Sequence, residues 1–124
     1  MCDCDAYDRP AVFEEVTRRA RKRHRCGECQ GLIEPGASYH ESRGLWDGQW
    51  STHKTCGSCF VVAHTLLDCY AFGYLAEDLD ECWLDLRHRN SPTRIAVAGM
   101  KRRRRAAERT LRREAAHEAD QDRR

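Results

Sequence analysis

Two segments in the middle of the chain, joined by a tight-turn sequence, predict a β-hairpin. Residues 37–45 and 49–54 are interpreted as antiparallel strands, and Asp47-Gly48 between them is a pair favoured in two-residue type I′ turns. Pro35-Gly36 marks the turn that precedes the first strand. A two-residue turn also fixes the register, with Trp46 opposite Gln49 and Leu45 opposite Trp50 on the other face.

Apolar residues at helical spacing predict two helices after the hairpin. The first is expected over residues 56–68, with Thr55 as its N-cap and an apolar stripe that includes Phe60 and Leu67. The second is expected over residues 74–87 and should pack back on the preceding segment. Its apolar side chains are Leu75, Leu79, Cys82, Trp83 and Leu86.

The two ends of the chain have weaker patterns. A brief helical turn is predicted after Pro10, and residues 17–25 are expected to be extended. Near the other end, Ser91-Pro92 combines an N-cap with proline at the first helical position, which predicts a third helix running toward residue 119. Its apolar stripe is too thin to require burial, so we expect a fraying helix or disorder in the free protein.

Four cysteines give the chain its candidate metal site. They form two C-x-x-C pairs, Cys26 with Cys29 and Cys56 with Cys59, a ligand set typical of a structural Zn²⁺ ion. Knuckle, hairpin and ligand-bearing helix in this order predict a small α+β zinc-bound domain of treble-clef or zinc-ribbon-like type. Gly31 is available for a positive φ angle after the second ligand. Disulfides are the main alternative, and the N-terminus shows no signal-peptide pattern that would favour them.

Composition supports a metal-dependent fold with two differently charged parts. The 124 residues are 34% charged and have a mean hydropathy of −0.83, which leaves little apolar material for a core. We therefore expect the metal-free chain to be largely unfolded. Residues 1–88 are predicted to form the zinc domain, in which acidic residues exceed basic ones, and residues 89–124 a basic tail. No membrane span is predicted.

Two alternatives remain open for the metal ligands. His53 could replace one cysteine as a metal ligand. Cys26, Cys29, His53 and Cys56 have the spacing C-x2-C-x23-H-x2-C, which also fits the first zinc module of LIM-type domains. A second site would combine Cys2, Cys4 and Cys69 with a histidine such as His40 or His64. Closed structural sites need four ligands, and only two of these residues are paired in the sequence.

Basic residues indicate nucleic acid as a partner. They would contact phosphates rather than read sequence, and aromatic residues of the hairpin would stack on exposed bases. The alternative partner is a host protein, bound through the hairpin and the acidic second helix. We expect neither catalysis nor a small-molecule substrate, because four thiolates leave zinc no vacant position and no catalytic histidine pair is present. The predicted nucleic-acid-binding residues are Arg21, Lys22, Arg23, Lys101, Arg102, Arg103, Arg104 and Arg105.

Several short motifs resemble small uncharacterised zinc-finger proteins of bacteriophages and prophages. They are Cys-Asp-Cys-Asp at residues 2–5, the knuckle sequence at 20–29, Ile-Glu-Pro-Gly at 33–36, Trp-Asp-Gly at 46–48 and Lys-Thr-Cys-Gly-Ser-Cys at 54–59. The similarity covers about residues 1–80 and excludes the arginine-rich tail. It implies a zinc-bound treble clef and a cytoplasmic location in a bacterial host cell, but it implies no activity.

Overall fold

A three-stranded antiparallel sheet forms the centre of the fold. The structure is a computed structural model that describes residues 10–67, 72–82 and 92–123, without the side chains of residues 80–82. The strands are β1 (Val12–Arg19), β2 (His24–Arg25), β3 (Leu32–Ile33), β4 (Ser38–Trp46) and β5 (Gln49–Cys56). The sheet has the order β1-β4-β5, and β2 pairs separately with β3.

The hairpin of β4 and β5 confirms the prediction from the sequence. Asp47 and Gly48 both have positive φ angles, 50° and 76°, as a type I′ turn requires. The predicted register is also observed, with Trp46 opposite Gln49 and Leu45 opposite Trp50.

The helical turn predicted after Pro10 is wrong, because Val12–Arg19 is a strand that pairs along its whole length with β4. Val12 and Val16 are four residues apart, a spacing that places two side chains on one face of a strand as well as on one face of a helix. Their β-branched side chains favour the strand, and β4 supplies the backbone partners. The local pattern could not distinguish the two structures.

Three helices follow the sheet: α1 (Gly57–Leu66), α2 (Leu75–Cys82) and α3 (Pro92–Asp122). The predicted N-cap of α1 is displaced by one residue, since Cys56 occupies that position and makes no side-chain capping bond. The second helix was predicted to run to residue 87, and its predicted continuation beyond Cys82 lies outside the described residues. The third helix begins at Pro92 as predicted.

The core is small and is built around the cysteines. Leu75 and Leu79 of α2 are fully buried, and they belong to one apolar cluster with Cys26 and Cys29. Met100 of α3 joins this cluster, so the expectation that α3 does not require burial is wrong. In the described part of the chain, no helix has the length and apolarity needed to cross a membrane.

The two faces of the β1-β4-β5 sheet have different surroundings. On the inner face, the His40 ring stacks on Phe60 of α1 with 3.4 Å between centroids. Gly44 also lies on this face, and a Cβ atom there would collide with the Trp46 ring. The opposite face, which we call the outer face, carries Val12 and Trp50 with exposed side chains.

Candidate metal centre

Three local structures bring the four cysteines together. Cys26 and Cys29 lie in the tight turn between β2 and β3, where Gln30 donates its backbone N–H to the Cys26 carbonyl. Cys56 is the last residue of β5, and Cys59 lies in the first turn of α1. The positive φ angle predicted at Gly31 is instead found at Gln30, where φ is 61°.

The sulfur atoms have the spacing of a four-coordinate metal site. All four lie within 4.8 Å of one another, and Cys29 Sγ is 3.8 Å from Cys56 Sγ. Tetrahedral geometry with metal–sulfur bonds of about 2.3 Å, as zinc makes, places neighbouring sulfurs about 3.8 Å apart. The four cysteines are free rather than disulfide-bonded. This cluster could therefore hold a metal ion.

Backbone N–H groups around the cluster point at sulfur. Glu28 donates to Cys26 Sγ at 3.4 Å, and Cys56 donates to the same sulfur at 3.3 Å. The N–H of Gly31 donates to Cys29 Sγ at 3.3 Å. Such donors favour the ionised form of a thiol, which is the form that binds metal.

Close contact between the sulfurs lowers the pKa of two of the thiols and raises the pKa of the other two. Hydrogen bonding with Cys26 lowers the pKa of Cys29, and it lowers the pKa of Cys56 to about 6. The pKa of Cys26 is raised by its contact with Cys29, and that of Cys59 is raised by its contact with Cys26. Without a cation, four adjacent thiolates would repel one another, so some sulfurs keep their protons. A bound metal ion would allow all four to ionise.

Arg103 of α3 supplies a positive charge next to the cysteines. Its Nε–H donates to Cys29 Sγ at 3.4 Å, and its Nη2–H donates to Cys59 Sγ at 3.4 Å. Burial disfavours the charged guanidinium, but these bonds to sulfur outweigh it and raise the pKa of Arg103. The side chain therefore bridges one cysteine from each C-x-x-C pair.

Gly31 allows α3 to approach the cluster closely. A Cβ atom at this position would lie 3.1 Å from Arg103 Cβ and 3.1 Å from Cys29 Sγ. Both contacts are tighter than ordinary van der Waals packing, so a larger residue would push the helix and the turn apart. The requirement for glycine here is close approach, not a positive φ angle.

Glu28 connects the first cysteine pair to α2. Its carboxylate accepts hydrogen bonds from the N–H groups of Gly73, at 2.8 and 2.9 Å, and Leu75, at 3.1 Å. These are donors at the start of α2 that have no partner within the helix. Desolvation raises the pKa of Glu28, while the two N–H groups act in the opposite direction. Glu28, one of the two residues between Cys26 and Cys29, thus positions the helix that carries Leu75.

The alternative metal ligands are placed elsewhere or lie outside the described residues. His53 stacks on Phe72 with 4.6 Å between ring centroids, on the inner face of the sheet, and it is not part of the sulfur cluster. His40 and His64 both contact Phe60. Cys2, Cys4 and Cys69 of the predicted second site lie outside the described residues.

The predicted nucleic-acid-binding residues occupy three different environments. Arg103 lies on the cysteine sulfurs. Arg23 pairs with Glu114 of α3 at 2.7 Å and with Glu34 at 3.2 Å, so its charge is already matched. The remaining predicted residues are exposed, and they are Arg21, Lys22, Lys101, Arg102, Arg104 and Arg105.

The sequence-based interpretation missed the positioning roles of Arg103 and Glu28. A signal for Arg103 was present, since Met100, Arg103 and Ala107 follow one another at helical spacing and Met100 and Ala107 are buried. The uninterrupted basic run at 101–105 obscured this pattern. Comparisons with protein-family models, curated proteins and solved structures found no match to this chain.

Proposed function

We propose that this chain is a zinc-stabilised, nucleic-acid-binding module of treble-clef type. The order of knuckle, hairpin and helix supports the fold, with one cysteine pair in the turn between β2 and β3 and the other at the start of α1. Zinc is the metal that best fits four soft sulfur donors at tetrahedral spacing. When bound, the ion would serve as a structural cross-link between the two pairs.

The observation that carries the nucleic-acid proposal is the division of α3 into two sides. Buried or contacting residues of α3 recur at helical spacing, namely Thr93, Met100, Arg103, Ala107 and Glu114. At 100° per residue, the opposite side carries an unbroken series of exposed cations, which we call the cationic stripe. Its members are Lys101, Arg102, Arg105, Arg109, Arg112 and Arg113.

The cationic stripe has the dimensions of a phosphate-binding surface. From Lys101 to Arg113 it extends about 18 Å along the helix axis, at about 1.5 Å per residue. A folded helix holds these charges in one line, whereas a disordered tail would have to lose conformational entropy on binding. Contacts with phosphates provide affinity without sequence information, so we expect weak sequence specificity.

Salt-dependent binding tests this function. Labelled DNA and RNA would be titrated with the protein at several salt concentrations, and fluorescence anisotropy would give the dissociation constant. Replacing Lys101, Arg102 and Arg105 by Gln should lower the slope of log K against log salt by about 2 to 3 for duplex DNA. The matched control, in which Arg102 and Arg105 become Lys, keeps the charge and should keep the slope. Equal slopes for wild type and the Gln variant would contradict the proposal.

Metal content tests the zinc part separately. Native mass spectrometry should find zinc bound to the wild-type chain, and Cys26→Ser should lose that ion together with the folded state. Retention of the ion by Cys26→Ser would contradict the ligand assignment. A second ion per chain would point to the separate site predicted from Cys2, Cys4 and Cys69.

The alternative function, binding of a host protein through the acidic second helix, has weaker support. Asp78 of α2 is 5% exposed and therefore unavailable to a partner, while Glu77 is exposed. A variant lacking the cationic stripe that keeps its biological effect would favour this alternative.

A further inference from the structure

The outer face of the sheet carries an exposed apolar row at the hairpin end. Val12, Leu45 and Trp50 are aligned across β1, β4 and β5, so their side chains are neighbours on this face. The Trp50 side chain is 52% exposed, and Val12 is 43% exposed. Val16, two positions further along the same face of β1, is exposed to the same extent as Val12.

A cation accompanies the exposed indole. The Arg43 guanidinium lies 4.6 Å from the centroid of the Trp50 ring. Lys54 also lies on the outer face, opposite Glu41 in the register of β4 and β5. An exposed aromatic ring next to a cation is a combination that single-strand-binding proteins use, since bases stack on rings and phosphates meet positive charges.

A basic cleft lies at the other end of the same face. It has a volume of about 920 Å³ and is lined by Tyr39 and Glu41 of β4, by the end of β1 and by the loop that follows. Glu41 is the carboxylate among its described lining residues, and it is paired with Arg18. The cationic residues of the lining are Arg18, Arg19, Arg21 and Lys22.

The cleft and the Trp50 platform are joined along one strand. Tyr39 and Leu45 are both on the outer face and are six residues apart in β4, which corresponds to about 20 Å. Arg43 lies between them, opposite Glu14 of β1, so the excess positive charge of this face is confined to the cleft. Positive charge at one end and an exposed indole at the other form an elongated surface that is complementary to an unpaired nucleic-acid strand.

We propose that the outer face binds single-stranded nucleic acid, with phosphates in the basic cleft and a base stacked on Trp50. This assignment rests on the proposed nucleic-acid function and adds that the nucleic acid is single-stranded. Stacking on Trp50 requires an unpaired base, because bases in a duplex are already stacked on one another. The cationic stripe of α3 lacks aromatic residues and would bind single and double strands alike.

The test compares variants of the outer face and of the cationic stripe with two probes. The probes are a labelled homopyrimidine single strand and a labelled duplex, each titrated with wild-type, Trp50→Ala, Trp50→Phe and Arg105→Gln proteins. Trp50→Ala should weaken single-strand binding about tenfold and leave duplex binding unchanged, because stacking of one base supplies that order of affinity. Trp50→Phe should restore most of the loss, and Arg105→Gln should weaken both probes. Thermal unfolding of each zinc-loaded variant would confirm that the exposed substitution leaves the fold intact.

The cleft is tested in the same titrations. Replacing both Arg21 and Lys22 by Gln should lower the salt slope for the single strand by about 1, and replacing Arg21 by Lys should leave it unchanged. Single-strand binding that is unaffected by Trp50→Ala, while Arg105→Gln still weakens it, would overturn this inference and leave the proposed function standing. Failure of the wild-type protein to bind either probe would overturn both. Binding of a peptide to the outer face without competition from the single strand would also overturn the inference.

Discussion

Substitution of Arg103 tests whether the basic helix and the metal centre are one structural unit. Arg103→Ala removes two N–H donors from the sulfurs of Cys29 and Cys59 and removes a positive charge beside them. Four thiolates around a divalent cation carry a net negative charge, so the guanidinium stabilises the metal-bound form in particular. Loss of this residue should therefore weaken metal binding as well as the docking of α3.

The expected size of the effect follows from the two contacts. A hydrogen bond to a charged group contributes about 1.5 to 3 kcal/mol when it is short and buried. Both contacts of Arg103 are 3.4 Å long and its side chain is only partly buried, so we take about 1 kcal/mol for each. Two such contacts correspond to roughly 30-fold weaker zinc binding, because 1.36 kcal/mol is a factor of ten. This value lies within the range of about 10 to 100-fold found for residues that support metal ligands.

A chelator competition assay measures this effect. Zinc-loaded protein would be titrated with a chromophoric chelator, and Arg105→Ala would serve as the control, because Arg105 lies on the exposed side of the same helix. Arg103→Lys should show an intermediate affinity, since one ammonium group lacks the planar fork that reaches both sulfurs. Hydrogen exchange should also be faster along α3 in Arg103→Ala than in the control. Equal zinc affinities for Arg103→Ala and Arg105→Ala would refute the reasoning.

Three further predictions concern the contacts that hold the elements together. Glu28→Ala should lower the melting temperature, because it removes the acceptor at the start of α2, a loss worth about 1 kcal/mol, whereas Glu28→Gln should keep most of the stability. Burial against Phe60 lowers the pKa of His40, so the folded state favours the neutral imidazole. The stability that the neutral His40 ring contributes should therefore be lost as the pH falls below about 6.5. His40→Phe should reduce this pH dependence of the urea midpoint. Arg23→Gln breaks the contact with Glu114 and should increase hydrogen exchange in the last turns of α3, with no change in the sheet.

Each of these predictions has an outcome that contradicts it. Equal melting temperatures for Glu28→Ala and the wild type would show that water satisfies the N–H groups of α2 equally well. An unchanged difference between the urea midpoints at pH 5.5 and pH 7.5 in His40→Phe would assign the pH dependence to other groups, such as the cysteines. Uniform exchange in α3 before and after Arg23→Gln would mean that the ion pair with Glu114 does not order the helix.

The sequence predicted those features that depend on local chemistry. The two residues Asp47-Gly48 are sufficient to predict the turn. The turn then sets the register of β4 and β5, in which Leu45 lies opposite Trp50. The cysteine pairs could also be recognised in the sequence, because each C-x-x-C is a local motif. Neither the turn nor the cysteine pairs required knowledge of which distant segments come into contact.

Features that depend on distant partners could not be predicted in this way. The segment from Val12 becomes a strand because β4 is available as its neighbour, and its own pattern is compatible with a helix. Arg103 was assigned to phosphate contacts because four similar residues surround it in the sequence. Only the docking of α3 distinguishes Arg103 from Arg102 and Arg104, since it rotates one arginine toward the cysteines and the others toward solvent.

The same docking explains how a helix with so little apolar surface is held. Met100 and Ala107 contribute a small buried area, and the contacts of Arg103 with sulfur lie between them. Near its far end, Glu114 pairs with Arg23 in the loop that follows β1, and Arg21 and Lys22 of that loop line the basic cleft. The orientation of the cationic stripe is therefore fixed by contacts with the metal centre and with the edge of the cleft. Because the metal would hold in place the two sulfurs that Arg103 contacts, loss of the metal should loosen the position of the cationic stripe even though none of the residues of the stripe is a metal ligand.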